Sequence, residues 1–445
     1  MTETRPLRVA IVGSGPSGMY AAGHLLEAPS GTFAAGRLSR RVHQSIEVDV
    51  LDRLPTPWGL IRGGVAPDHP DKKKMARVYD AIAHRPGFRF IGNVCVGETV
   101  SPAQLSAWYD AVIYAIGADG ERKLGIPGED LPGCSSARRF VGWYNGHPDF
   151  SQEHFNLQTE RAVIIGNGNV SMDVARILLK PVEELRQTDI AEHALKALSQ
   201  SRIREVVILG RRGPAEAAFN FPELEELGDL PDTAISVDGA EALQTVLNAS
   251  ADGDPKMAAL RKLCAERTVG KRRILLRFHT SPAEIVGDEK VEGLRLTSSN
   301  EVLSSGLILS AIGYRGSALD GLPFDEARGI IPNESGRVTD NGTPVPGTYV
   351  TGWIRRGPQG IIGSNKKCAR DCVASLLADA SAGALSGSNS LNAQQRLEKF
   401  DALTRRIIHF CDWQKIDHAE REQGRPMSRP RIKFTRVEEM VQALD

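Results

Sequence analysis

Val9-Ala10-Ile11-Val12-Gly13-Ser14-Gly15-Pro16-Ser17-Gly18-Met19-Tyr20-Ala21-Ala22 is the stretch that decides the fold. Its apolar opening reads as a strand buried on both faces, and the residues from Pro16 onward read as a helix. The glycines between them have the spacing of a nucleotide-binding turn. Gly13 allows the tight turn, Gly15 lets a pyrophosphate approach the backbone, and Gly18 lets helix and strand pack closely. The helix N-terminus then offers unpaired N–H groups and its positive dipole end to phosphate. Gly-rich turns are common, so this motif gains its weight from standing between a strand and a helix.

A turn of this kind wants an acidic residue at the end of the next parallel strand, to bind a ribose hydroxyl. Glu47-Val48-Asp49-Val50-Leu51-Asp52 is that strand, and Asp52 is the candidate. It lies well beyond the usual ~20 residues from the turn, and a Ser/Gly/Arg-rich loop, Pro29 to Gln44, takes up the excess. After it, Leu54 to Pro70 has too many Pro and Gly for a helix and too many apolar residues for a floppy linker, so it is expected to line a site. Lys72, Lys73 and Lys74 follow and read as a solvated face. Phe88 to Gly97 and Tyr109 to Ala118 read as two further strands.

A second fingerprint lies further on. Arg161 to Ile165 is a strand, Gly166-Asn167-Gly168-Asn169-Val170-Ser171 is a turn with Ser171 in the third-glycine place, and Met172 to Leu179 is a helix. The next strand, Glu205 to Leu209, runs into Gly210-Arg211-Arg212-Gly213-Pro214. An acidic residue there would select NAD; paired arginines suit the 2′-phosphate of NADP. Two dinucleotide motifs in one chain imply two bound dinucleotides, FAD and NADP(H). Flavin takes hydride as an electron pair and can release electrons singly, so the pairing defines an electron-transfer enzyme. A third block, Thr348 to Lys367, reads as strand, Gly-rich turn and helix start; its helix N-terminus would stabilise negative charge on a reduced flavin ring. Ile308 to Tyr314 reads as the strand closing an inserted domain.

The chain has 445 residues, enough for two domains, and balances 55 basic against 55 acidic residues, which argues against bulk attraction to nucleic acid. No apolar run reaches the length of a membrane span. The first strand starts too early to leave room for a signal peptide. The six cysteines include no CxxC and form no iron–sulfur or zinc ligand cluster; Cys368 and Cys372 are four apart and are expected to be small buried residues of one helix face. A reduced, cytoplasmic protein without a metal is expected.

The motifs VGSGPSG, LPTPWGLIRGGVAPDHP, GNGNVSMDVAR, GRRGP, FPELEEL and GWIRRGPQGIIGSNK together resemble the adrenodoxin-reductase-like ferredoxin–NADP reductases over nearly the whole chain. Asp52 stands where Glu is usual in that family, and Ser364 where Thr is common. The resemblance implies an α/β fold of two Rossmann-like nucleotide-binding domains, with an NADP domain (118–319) inserted into a discontinuous FAD domain (1–117 and 320–445). Hydride would pass from NADPH to FAD, and single electrons from FAD to an acidic iron–sulfur ferredoxin. FAD would touch Gly13, Ser14, Gly15, Pro16, Ser17, Asp52, Leu60, Val96, Trp353, Gly360, Ile361 and Ile362. NADP would touch Asn167, Gly168, Asn169, Val170, Arg211, Arg212, Glu223 and Gly360. His69 and Glu226 match the candidate catalytic pair near the nicotinamide, where hydride transfer needs positioning and charge tuning rather than a general acid.

The remaining expectations are coarser. A monomer is expected, docking its ferredoxin partly through Lys72 to Lys74 and mainly through Lys256, Arg261, Lys262, Lys271, Arg272 and Arg273. Ala393 to Phe410 reads as one amphipathic helix and Arg429 to Asp445 as a structural tail. A flavin disulfide reductase would carry CxxC or CxxxxC near the flavin, and neither is present. An electron-transfer subunit without its own turnover would carry an N-terminal cysteine cluster, which is also lacking.

Overall fold

The fold was analysed in a computed structural model that describes residues 5–30, 45–249, 253–297, 299–360, 362–385 and 391–445. Strand Leu7–Val12 is wholly buried, as its apolar run requires, and it sits between Ile46–Leu51 and Ala111–Tyr114 in parallel register, Ile11 beside Val50 and Ile113. Phe88–Ile91 continues the sheet on one side, and Thr343–Val350 joins Ala111–Tyr114 in parallel on the other. Arg337–Asp340 and Asn333–Glu334 complete seven strands by antiparallel pairing. This sheet therefore combines strands from before and after the middle of the chain.

A second, all-parallel sheet of six strands is built from the middle of the chain. Its order is Cys134–Ser136, Leu307–Ser310, Arg161–Ile165, Glu205–Leu209, Arg272–Arg277, Thr233–Asp238. Leu307–Ser310 closes it against Arg161–Ile165, as expected of the strand before Tyr314. The outgoing and returning crossovers are stitched together, because Gly120–Glu121 pairs antiparallel with Tyr314–Arg315. The result is one doubly wound α/β unit inserted into another.

Several elements end earlier than the sequence indicates. Phe88–Ile91 stops short of Gly97: Asn93 takes a left-handed φ of 62° and its N–H bonds Leu54 O. The segment Leu54–Pro70 contains a single helical turn, Leu60–Gly63. The helix from Ala393 ends at Asp401, because Ile408 must leave it to exchange backbone hydrogen bonds with Gly92. A separate helix, Phe410–Gly424, then begins. Of the expected loop Pro29 to Gln44, Pro29 and Ser30 close a 3-10 turn, Ala28–Ser30, and 31–44 lies outside the described residues.

Candidate active site

The two fingerprint turns are built alike. Gly13 and Gly166 have φ of +105° and +116°, and a Cβ on either would lie 2.6 Å or 2.5 Å from the carbonyl oxygen of Ala115 or Ala311. Only glycine meets both demands. Gly15 and Gly168 cap the helices Pro16–Glu27 and Asn169–Leu179, neither of which has an acidic residue in its first turn. A Cβ on Gly15 would meet nothing nearer than 3.9 Å, and one on Gly168 nothing within 4 Å. Each helix N-terminus thus faces open space with its dipole uncompensated, which is what a pyrophosphate needs.

The third positions solve one packing problem in two ways. A Cβ on Gly18 would stand 1.9 Å from Gly13 O, so helix and strand touch there. Ser171 is instead fully buried and its hydroxyl donates to Gly166 O at 2.7 Å.

Asp52 lies just past its strand, with its carboxylate accepting from Ser14 N and Leu54 N at 3.0 Å each and from the Ser14 hydroxyl. Pro16 opens the first helix, and Ser17 exchanges a hydrogen bond with Thr351 at 3.0 Å, tying that helix to the third motif. Trp353 begins the short helix Trp353–Arg356; its Nε1 is buried without a partner, and its ring stacks on Tyr314 at 5.6 Å and 25°. Arg356 braces the turn after it through Gln359 O, Ser364 Oγ and Asn365 Oδ1. Gly360 has φ +85° within that turn. Ile361 lies outside the described residues, and Ile362 starts the helix Ile362–Ser381. Leu60 is 43% exposed on the one-turn helix beside Gly15, and Val96 lies farther along, bridged to Val100. In the helix Ile362–Ser381, Cys368 and Cys372 are both buried, as expected of small face residues.

In the inserted unit, Asn167 packs against Gly210, and Val170 lines a concavity with Arg122, Arg138, Gly313 and Tyr314. Asn169 Oδ1 accepts from Asn220 N at 2.7 Å and so anchors the helix Phe221–Glu225 that carries Glu223. One Glu223 oxygen is buried without a partner. Arg211 and Arg212 are exposed where the chain leaves the strand Glu205–Leu209.

Between the units His69 and Glu226 meet, Nε2 to Oε2, at 2.6 Å. The Lys72 ammonium lies 3.3 Å from His69 Nδ1 and can only donate, so we assign the ring proton to Nε2, donating to Glu226. Lys72 also bonds Glu223 at 3.1 Å. Arg176 joins Glu226 at 3.0 Å, Asp173 at 2.8 Å and Asp68 at 2.7 and 3.0 Å. Burial pushes the Asp68 carboxyl up, but the Arg176 bond and charge outweigh it and hold Asp68 at about 2. Burial likewise opposes the His69 bond and the Arg176 and Lys72 charges at Glu226, whose net displacement is downward. His69, Asp173 and Glu226 hold ligand-type atoms within 4.8 Å of one another, but the guanidinium already bonds both carboxylates, so the cluster is an ion-pair network.

Of the basic triplet only Lys74 is a solvated side chain; Lys72 and Lys73 are half-buried in ion pairs with Glu223 and Asp189. Lys73 pairs with Asp189 at 2.5 Å, and Asp189 also pairs with Lys433 of the tail at 3.1 Å. Asp68, Asp173 and Arg176 were missed at the sequence level. Their signal was present only as Asp68 beside His69 and as Asp173 and Arg176 one turn apart on the second fingerprint helix.

Comparison with known proteins agrees with this architecture. The family model for pyridine nucleotide-disulphide oxidoreductases matches residues 7–209. The NADPH-ferredoxin reductase FprA of Mycobacterium tuberculosis is 45% identical, over 98% of this chain and 99% of its own. The mitochondrial NADPH:adrenodoxin oxidoreductase of Arabidopsis thaliana is 38% identical, over 99% and 96%. The structure of Mycobacterium tuberculosis FprA in complex with NADPH superposes with a TM-score of 0.91 at 45% identity, covering 99% of this chain and all of the other.

Proposed function

Because the chain belongs to the ferredoxin–NADP reductase family, we propose that it carries electrons from NADPH through FAD to an acidic iron–sulfur ferredoxin. The observation that carries this reading is the pair of congruent turns, each opening a helix N-terminus onto free space, with His69 and Glu226 joined between them. The residues fit both cofactors: a Cβ at Gly168 would enter open space, one at Gly15 would meet only Gly59 Cα at 3.9 Å, and Trp353 Nε1 is a buried donor without a protein acceptor.

Bound FAD supplies acceptance of hydride and release of electrons one at a time. Gly13 to Ser17 would cradle its pyrophosphate, Asp52 its ribose, and Leu60, Val96, Trp353 and Gly360 to Ile362 its ring and adenine ends. Asn167 to Val170 would hold the NADP pyrophosphate, Arg211 and Arg212 the 2′-phosphate, and Glu223 and Gly360 the nicotinamide half. His69 and Glu226 would fix where the nicotinamide stands. We further propose domain limits at 1–117 with 320–445, and at 118–319, a monomeric state and a cytoplasmic location. Among the described residues no helix is long and apolar enough to cross a membrane.

The test is a purified, yellow protein assayed anaerobically. NADPH should bleach its flavin band, and electrons should reach cytochrome c only when ferredoxin is added. A colourless protein with intact folding, or reduction indifferent to ferredoxin, would overturn the reading.

A further inference from the structure

Arg176 has no part in the reading above, yet it is among the most enclosed charges of the molecule, at 2% exposure. It leaves the second fingerprint helix and points across to the loop of the other unit. Its Nε and Nη2 take both oxygens of Asp68, and its Nη1 takes Glu226 Oε2, the oxygen that also bonds His69. Asp68 precedes His69 directly in the chain, so Arg176, Asp68, His69 and Glu226 close a ring. Lys180, just past the end of the helix, adds a second charge on Asp68 at 3.2 Å. A guanidinium keeps its proton and presents donors in a fixed plane, so such a ring holds direction as well as distance.

We propose that Arg176 is a positioning residue for hydride transfer, whose fork sets where His69 and Glu226 stand between the two dinucleotide sites. The proposal rests on the reductase reading. It does not require Arg176 to hold the units together, because the tail provides an independent tie. Arg429 bonds Thr188 O at 3.2 Å and Ile190 O, and Lys433 bonds Asn145 O at 3.1 Å and Arg62 O at 3.3 Å.

The experiment uses the holoenzyme and three variants, Arg176→Lys, Arg176→Met and Lys433→Met. Three quantities are read: the single-turnover rate of flavin reduction by NADPH, the calorimetric Kd for NADP+, and the melting temperature. Both Arg176 variants should reduce flavin slower by about tenfold or more. Their Kd for NADP+ should stay within about threefold of wild type, a change of under 1 kcal/mol. Arg176→Lys should melt near wild type while remaining slow, since one ammonium replaces the charge but not the fork. Lys433→Met should melt lower with its rate unchanged. Three results would each overturn the proposal: full rate in Arg176→Lys, a Kd that weakens in step with the rate, or equal slowing in Lys433→Met. Should Arg176→Met fail to fold, the lysine variant decides alone. A wild-type flavin that NADPH cannot reduce would instead defeat the reductase reading itself.

Discussion

Arg211 and Arg212 stand exposed at the tip of a buried strand, which leaves both guanidinium groups available to a ligand. Each is expected to contribute roughly 1.5–3 kcal/mol to a 2′-phosphate through charge-assisted hydrogen bonds. Changing both to Ala should raise the KM for NADPH at least about tenfold and leave NADH nearly untouched. Steady-state kinetics with the two nucleotides checks this, and equal losses would assign the arginines to something else. Asp68 poses a different question, because it is held at about 2 where an ordinary aspartate titrates near 3.8. A depressed carboxyl contributes stability that is complete above the unfolded value and is lost as pH falls through the folded one. The displacement corresponds to about 2 kcal/mol. Asp68→Asn should therefore melt lower than wild type at neutral pH, and the two curves should converge as pH falls from 4 toward 2. Melts recorded across that window would expose a gap that fails to close.

At the scale of elements, the same strand–turn–helix unit separates a ligand-facing glycine from a packing glycine. Gly15→Val places its branches before the helix, where its Cβ meets only Gly59 Cα at 3.9 Å, so the protein should fold and purify without flavin, lacking the absorption near about 450 nm. Gly18→Ala is expected to fail earlier, because its Cβ would strike Gly13 O and push the helix off the strand. Absorbance and circular dichroism of the two proteins distinguish them; a yellow Gly15→Val would make the first turn merely structural. These turns were legible in the sequence because strand, glycine spacing and helix are contiguous. What could not be read depends on distant partners. The triplet at 72–74 looks solvated until Asp189 arrives from 116 residues away to pair with Lys73. The break after Asp401 is imposed by Gly92, and the helix after it is capped by His409 and Asp412, an unusual capping pair. Ser171 was placed correctly as a small third residue, while its bond to Gly166 O emerged only from the fold.

The whole molecule carries no net charge, so any steering of an acidic partner must come from a local face. The fold narrows the candidates. Lys73 donates to Asp189 at 2.5 Å, Lys256 to Ala215 O and Ala217 O at 2.9 Å each, and Arg261 to Ala249 O at 2.7 Å. Lys262, Lys271 and Arg273 remain exposed on the inserted unit. Reversing Lys262 and Lys271 to Glu should slow ferredoxin reduction at low ionic strength, with the deficit shrinking as salt screens the encounter. Ferricyanide reduction by NADPH should not change, and a parallel fall in both would reveal damage to folding or NADP binding instead. The sheet whose strands flank the inserted unit has a further consequence for how the protein is made. The six-stranded sheet is complete once the ribosome has passed Ser310, whereas Ala111–Tyr114 waits for Thr343–Val350. Until then the nascent chain holds an unpaired parallel edge, the kind of surface that invites chaperones or misassociation. The helix from Ile362 emerges later still, so if it borders the flavin as proposed, the cofactor would be loaded only after that helix has been made.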